Sequence, residues 1–190
     1  MTTITKWTGF IVLVAGLALT ISVWGIGSSP AFGCDYANGW MTGGGSIFYP
    51  NGKDLAYGGQ IGSDGRVTHG FVVHCTPRHS DNLEIVDHST GLNFHLLDLT
   101  ATACTDDPTI EPNPPDAAFD TFEGWGNGRC KSVSGRWQPC SIHFVFTDGG
   151  ERGGCLRDTA YILIKDQSDN TLLYIDNDVD CGNHQAHDGF

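Results

Sequence analysis

Three carboxylates and an amide alternate in the run Asp176-Asn177-Asp178-Val179-Asp180 near the end of the chain. Hard cations such as Ca²⁺ take roughly six to eight oxygen ligands, and a curved acidic loop supplies several of them at once. A second acidic segment contains Asp148, Glu151 and Asp158. A cation bound between the two segments would relieve their repulsion. The run lacks the glycine and the glutamate that an EF-hand needs at fixed positions. The run is therefore not an EF-hand. Its spacing is typical of a solvated acidic turn, with a Ca²⁺ site of another kind as the alternative.

Four histidines offer a rival metal site. His184 and His187 lie three residues apart, and His69 and His74 lie five apart in an earlier segment. Neutral imidazole is a good ligand for Zn²⁺ and Cu²⁺. An odd spacing on a strand directs His69 and His74 to opposite faces of a sheet, so a site with both needs a bulge at Gly70. Hydrogen-bonded structural histidines are the competing interpretation.

Signatures of hydrolytic catalysis are absent from the sequence. It contains no Gly-x-Ser-x-Gly elbow, and its 22 acidic residues offer no distinguishable acid and base pair for glycoside hydrolysis. We therefore predict no catalytic residue. Aromatic residues are candidates for stacking on sugars, with core or edge packing as the competing role: Trp40, Phe48, Tyr49, Tyr57, Trp125 and Trp137.

Composition restricts the partners. The chain has 190 residues, 10 Lys and Arg against 22 Asp and Glu, and a formal charge of −12. This negative charge disfavours binding to nucleic acid and to anionic membrane surfaces, because both are bound by clusters of Lys and Arg side chains.

Strands rather than helices position these side chains. The 26 glycines and the period-two alternation of apolar residues are typical of sheets with one buried face. The pattern is clearest over residues 67–75, 92–99, 141–147, 159–165 and 171–176, and weaker over 43–49, 83–87 and 119–126. The prolines of residues 106–115 predict an exposed crossover. The sequence predicts an antiparallel two-sheet β-sandwich of about eight strands.

The first 33 residues have the layout of a secretory signal. A start with a single cation precedes the uncharged segment Trp7–Gly27, and a turn-rich segment follows. The small residues Ala31 and Gly33 suit cleavage before Cys34. A retained membrane anchor and a lipid on Cys34 remain open as alternatives. In each case residues 34–190 are expected to form one exported domain, secreted or held in the periplasm or at the cell surface.

Cysteines of an exported domain are expected to form disulfides. The six candidates are Cys75, Cys104, Cys130, Cys140, Cys155 and Cys181. None lies in a Cys-x-x-Cys pair and none precedes a histidine, which excludes zinc ribbons, thioredoxin-type redox sites and c-type haem attachment. The residues alone leave the pairing open.

Eight short motifs occur in order along the chain and together resemble a known family. They are Gly43-Gly44-Gly45-Ser46-Ile47, Thr68-His69-Gly70-Phe71-x-x-His74-Cys75, Asn82-Leu83-Glu84, Phe94-His95-Leu96, Cys104-Thr105-Asp106-Asp107-Pro108, Phe119-Asp120-Thr121-Phe122-x-Gly124, Phe146-Thr147-Asp148-x-Gly150-Glu151 and Gly182-Asn183-His184-Gln185-Ala186-His187. Over residues 40–188 the chain resembles the post-COAP domain, an uncharacterised module of secreted bacterial proteins.

The resemblance implies a secreted, mostly β module without an established activity, and it implies that Cys75 pairs with Cys104. The other four cysteines depart from the family's pattern. The turn signal Ser134-Gly135-Arg136 predicts a hairpin that joins Cys130 to Cys140, which leaves Cys155 for Cys181.

These features predict a non-enzymatic exported module for cell-surface or extracellular interaction, in adhesion, matrix or envelope assembly, with Ca²⁺ as a candidate stabilising ion. Its expected partner is an extracellular or envelope protein or a glycan, and membrane contact is expected only through the N-terminal segment or a lipid on Cys34. One alternative is a polymer subunit that uses Cys34 and a flexible stretch at residues 35–45 for strand exchange and self-association. The other is a metal-dependent enzyme built on the four histidines.

Overall fold

The computed structural model describes residues 38–48, 65–110, 117–132, 135–150 and 158–189. Every regular element in these ranges is a β-strand. In chain order the strands are β1 (Trp40–Phe48), β2 (Arg66–His74), β3 (Asn82–Asp87), β4 (Leu92–Thr105), β5 (Thr121–Lys131), β6 (Gln138–Thr147), β7 (Thr159–Asp166), β8 (Thr171–Asp178) and β9 (Cys181–His187).

The nine strands form one curled antiparallel sheet. Each strand from β1 to β7 pairs with the next along the chain, whereas β9 pairs with β1, so the order is β8-β7-β6-β5-β4-β3-β2-β1-β9. Only Val179 and Asp180 separate β8 from β9, so the two ends of the sheet lie close together. The all-β prediction is confirmed. The prediction of a two-sheet β-sandwich is wrong, because the ladder of strands continues without a break.

Strand length and bulges explain the single sheet. β4 has 14 residues, of which the first four pair with β3, while the pairing with β5 extends over nearly the whole strand. Register shifts between Leu96 and Asp98 and between Leu99 and Ala101 mark two irregularities in β4. Bulges bend a strand and increase its twist, which allows the sheet to curl. A period-two pattern shows that one face of each strand is buried but not which strands pair.

All eight predicted strands are present, but β9 was not predicted. Its residues are polar, and only His184 and Ala186 are buried. The alternation that identifies a half-buried strand is therefore almost absent from its sequence. β5 also extends five residues beyond the predicted end, to Lys131.

The inner face of the sheet holds the core. In β6 the predicted inward residues Ile142, Phe144 and Phe146 are buried, and Phe94 and Phe122 join them from β4 and β5. Burial of each such side chain stabilises the fold by about 1.5 to 3 kcal/mol.

Two disulfides lie in the described residues, Cys75–Cys104 and Cys130–Cys140. Both pairings were predicted, the first from the family resemblance and the second from the hairpin. Cys130–Cys140 joins β5 to β6, and Cys75–Cys104 attaches the residue after β2 to the half of β4 that β3 does not pair with. Each bridge stabilises the fold by about 2 to 4 kcal/mol. Such bridges are typical of an oxidising, extracellular compartment.

Candidate functional site

The four histidines predicted as a metal site separate into a buried pair and two single residues. His69 and His184 are 7% and 0% exposed, and their Nε2 atoms are 2.7 Å apart. His74 lies on the opposite face of β2 from His69, without a bulge, and its Nδ1 is 2.6 Å from Asp81. His187 is hydrogen-bonded to Thr42 and stacks on Trp40. The four imidazoles therefore do not converge on one point.

Burial keeps both histidines of the inner pair neutral. Desolvation lowers the pKa of His69 to about 4. Desolvation, followed by the neighbouring His69, lowers the pKa of His184 to about 3. Phe71 and Phe146 stack or tilt against both rings and replace water around them.

The hydrogen bonds of the inner pair fix its tautomers. Nδ1 of His184 lies 3.2 Å from the carbonyl oxygen of Thr147, which only accepts, so this Nδ1 carries the proton. The bare Nε2 of His184 then accepts from Nε2–H of His69. Nδ1 of His69 is left as a buried acceptor without a hydrogen bond. The pair thus connects β9 to β2 and, through Thr147, to β6.

Two buried carboxylates hold the same strand. Asp148 accepts from the backbone N–H groups of Gly150 and Ala186, both at 2.9 Å. Asp158 accepts from Gly149 at 3.0 Å and from His184 at 2.5 Å. Each carboxylate therefore bridges the β6–β7 connection and the β9 backbone. We call these two residues and the inner histidine pair the β9 clasp.

The predicted Ca²⁺ ligands do not form a cluster in the described residues. No three His, Cys, Asp or Glu side chains in those residues lie close enough together to hold a metal ion. Asp176 and Asp178 are exposed on β8, whereas Asp180 accepts from the backbone N–H of Phe48. Asp148 and Asp158 belong to the β9 clasp, and Glu151 lies outside the described residues.

The remaining predicted positions are described only in part. Cys181 is the exposed first residue of β9. Cys155, the proposed processing residues Gly33 and Cys34, and the whole N-terminal segment 1–33 lie outside the described residues.

The two faces of β5 differ in the size of their side chains. Its inner face carries Gly124, Gly126 and Gly128, where a β-carbon would lie 2.5 Å from Phe144, 2.6 Å from the Asp98 carbonyl and 2.3 Å from Phe94. Core rings from β4 and β6 therefore fill the space inside β5. All of the large side chains of this stretch point outward: Glu123, Trp125, Asn127 and Arg129.

An aromatic row crosses the outer face from β5 to β8. It consists of Trp125, His143, Tyr161 and Tyr174, one residue from each strand. Neighbouring ring centroids are 4.8, 5.1 and 5.8 Å apart, and the interplanar angle increases from 8° to 60° and 83° along the row. Trp125 and Tyr174 at its ends are 36% and 40% exposed.

Carboxylates lie beside the aromatic row. Glu123 is 2.7 Å from Nε2 of His143. Burial raises the pKa of Tyr161, with smaller contributions in the same direction from Tyr174, Asp176 and Glu123. The row is therefore an aromatic surface with an acidic border.

Trp137 forms a separate cluster nearer the β5–β6 hairpin. It is 39% exposed, and its ring lies 4.9 Å from the Arg129 guanidinium and 5.4 Å from the Lys131 ammonium. The ring of His95 meets it edge-on at 4.8 Å and is in turn paired with Glu84. Cationic side chains thus already contact Trp137, whereas no such contact with Trp125 occurs among the described residues.

Sequence reasoning named Trp125 as a candidate for stacking but missed His143, Tyr161 and Tyr174. A signal existed for His143, because the alternation over residues 141–147 places it opposite Ile142 and Phe144 and therefore on the outer face. That the missed residues and Trp125 form one row depends on the register between strands, which the sequence does not provide.

The fold and this surface define a disulfide-bonded, all-β module with an exposed aromatic row. Comparison with family models, with curated proteins and with solved structures found no match. Within the described ranges, no helix is long and apolar enough to cross a membrane.

Proposed function

We propose that this chain is an exported, non-enzymatic β module that binds an extracellular or envelope partner through the outer face of β5 to β8. The two disulfides, the secretory layout of residues 1–33 and the resemblance to the post-COAP domain support export. Retention of the N-terminal segment or a lipid on Cys34 would anchor the same module to a membrane.

The observation that carries this proposal is the asymmetry of β5. Glycines occupy its core face, while Glu123, Trp125 and Asn127 lie outside. The continuation of Trp125 into the aromatic row leaves apolar ring surface in water, where it contributes less to stability than it would inside. Contiguous exposed apolar surface with a polar border is typical of binding sites.

The chemistry of the histidines supports a binding role rather than catalysis. His69 and His184 are buried among phenylalanines and engaged in the β9 clasp, so they are poorly placed to exchange protons with a substrate. His74 pairs with Asp81 in the β2–β3 connection, and His187 is hydrogen-bonded to Thr42 of β1. This separation weakens the alternative of a metal-dependent enzyme.

The arrangement of β1 weakens the strand-exchange alternative. Exchange was expected to use residues 35–45 as a flexible arm, but residues 40–45 lie in β1 between β2 and β9. Residues 35–37 lie outside the described residues.

Co-sedimentation with the insoluble envelope material of the producing organism tests the proposal. We expect the purified chain to pellet with this material and Trp125→Ala to remain in solution. Trp137→Ala is the matched control, because Trp137 is equally exposed but lies outside the aromatic row. The proposal fails if the chain does not pellet, or if both variants pellet like the parent chain.

A further inference from the structure

Trp125 offers one aromatic face to a ligand. The parallel ring of His143 covers the face of the indole that is turned toward β6. On the other side, the register places Ala101 of β4 opposite Trp125 and Ala103 opposite Glu123. Because both alanines end at a methyl group, they form a low shelf beside the free face of the indole.

Hydrogen-bonding groups border this alanine shelf at two ends. On one side the amide of Asn127 donates to Asp98 at 3.1 Å. On the other side Oε1 of Glu123 accepts a hydrogen bond from Nε2 of His143. A carboxylate accepts up to about four hydrogen bonds, so Asp98 and Glu123 both retain acceptor capacity toward a ligand.

An aromatic face with a border of acceptors is complementary to a sugar ring. One side of a pyranose presents C–H groups that pack on an indole, and its edge presents hydroxyl donors that carboxylates accept. The aromatic row then continues from Trp125 to Tyr174 across four strands, or about 14 Å at the usual strand spacing. This length suits several consecutive sugars of one chain.

Dimensions and charge discriminate between partner classes. A stable protein interface buries about 800 Å² on each side, whereas the row is one side chain wide. Glu123, Asp98 and Asp176 surround it, and among the described residues the cation nearest in register, Lys165, is paired with Asp169 at 2.8 Å. This border repels acidic polysaccharides.

We propose that the alanine shelf and the aromatic row bind an uncharged glycan, with one sugar stacked on the free face of Trp125. This inference rests on the proposed function and assigns the chemical class of its partner. Asp98 and Glu123 accept hydrogen bonds from sugar hydroxyls, and Tyr174 contacts the distal end of the glycan.

Selective destruction of the envelope material tests the class of partner. Periodate cleaves vicinal diols of sugars, whereas a broad-specificity protease removes proteins. We expect the chain to pellet with protease-treated material and to lose at least about tenfold of its association after periodate, which corresponds to about 1.4 kcal/mol. Cellohexaose, whose 1,4-linked glucose units carry vicinal diols, should compete with the untreated envelope material for the chain, and hexagalacturonate should not.

The variants locate the site. Trp125→Ala should weaken binding of the competing hexasaccharide at least about tenfold, and Trp137→Ala by less than about twofold. Circular dichroism melts of both variants establish that they fold. Equal losses in the two variants would overturn the assignment to Trp125.

The outcomes separate this inference from the proposed function. Pelleting that depends on Trp125, is lost after protease and is retained after periodate would overturn the glycan as the class of partner. The proposed binding function would then stand, with a protein as the partner. Stronger competition by hexagalacturonate than by cellohexaose would overturn the uncharged class. Absence of pelleting with untreated material would contradict the proposed function itself.

Discussion

The β9 clasp and the aromatic row both combine histidine with aromatic rings across several strands, but they lie on opposite faces of the sheet. In the clasp, His69 and His184 are enclosed by Phe71 and Phe146, and their pKa values lie well below the usual value. In the row, His143 stacks on Trp125 with solvent at its edge.

The comparison shows that residue type alone does not identify a functional site. Metal-ligand chemistry first drew attention to His69 and His184, yet their surroundings give them a structural role. The row contains His143, which was not among the four predicted metal ligands. Its position beside exposed rings makes it part of the candidate binding surface.

The pH dependence of stability should separate the two regions most strongly. The ordinary histidine pKa of 6.5 applies to the unfolded chain, whereas the folded values are about 4 and 3. As the pH falls below 6.5, the unfolded chain binds protons that the clasp does not, so the free energy of unfolding decreases by about 1.4 kcal/mol per pH unit for each histidine. The decrease ends near the folded pKa values, and above 6.5 this pair causes no change.

Urea unfolding measured between pH 7.5 and 5 checks this dependence. A variant without His143 should retain it, whereas a variant with leucine at both His69 and His184 should lose most of it. If the double variant kept an unchanged pH dependence, the assignment of this dependence to His69 and His184 would be contradicted.

The carboxylates of the clasp should give the next largest effect. Asp158→Asn replaces one accepting oxygen by an amide donor that faces a backbone N–H, so we expect a loss of about 1 to 3 kcal/mol in the free energy of unfolding. Amide hydrogen exchange at His184 should accelerate. Asp176→Asn is the control, because Asp176 is exposed on the outer face and its replacement should cost less than about 0.5 kcal/mol. Equal effects of the two replacements would show that the clasp does not depend on Asp158.

The distal end of the aromatic row should give the smallest effect. Tyr174 is 40% exposed, so Tyr174→Ala should change the free energy of unfolding by less than about 1 kcal/mol. It should weaken hexasaccharide binding about threefold, less than Trp125→Ala, because Tyr174 meets its neighbour edge-on and has no alanine shelf beside it. Titration calorimetry measures the binding and thermal melts measure the stability. A loss at Tyr174 that exceeds the loss at Trp125 would move the centre of the site to β8.

Local patterns in the sequence predicted the elements better than their assembly. Alternation around Phe144 and Phe71 identified β6 and β2, and the turn at Gly135 led to the Cys130–Cys140 bridge. The mostly polar sequence of β9 lacks the alternation that predicts a strand. This strand is stabilised by backbone pairing with β1 and by the buried His184. The pairing of His69 with His184 joins residues 115 positions apart, which no local pattern encodes. The Gly124-Trp125-Gly126 alternation, in contrast, was visible and is the best sequence signal for the candidate site.

The pairing of the first described strand with the last has a consequence for biosynthesis. Trp40 lies opposite His187, so the sheet cannot close until synthesis has passed β9. A chain interrupted before Cys181 would leave one edge of β1 open and Nε2–H of His69 without its acceptor. Such fragments would present a free strand edge to other chains and to proteases. Pairing of β9 with β1 therefore covers the strand edge that shorter fragments would expose.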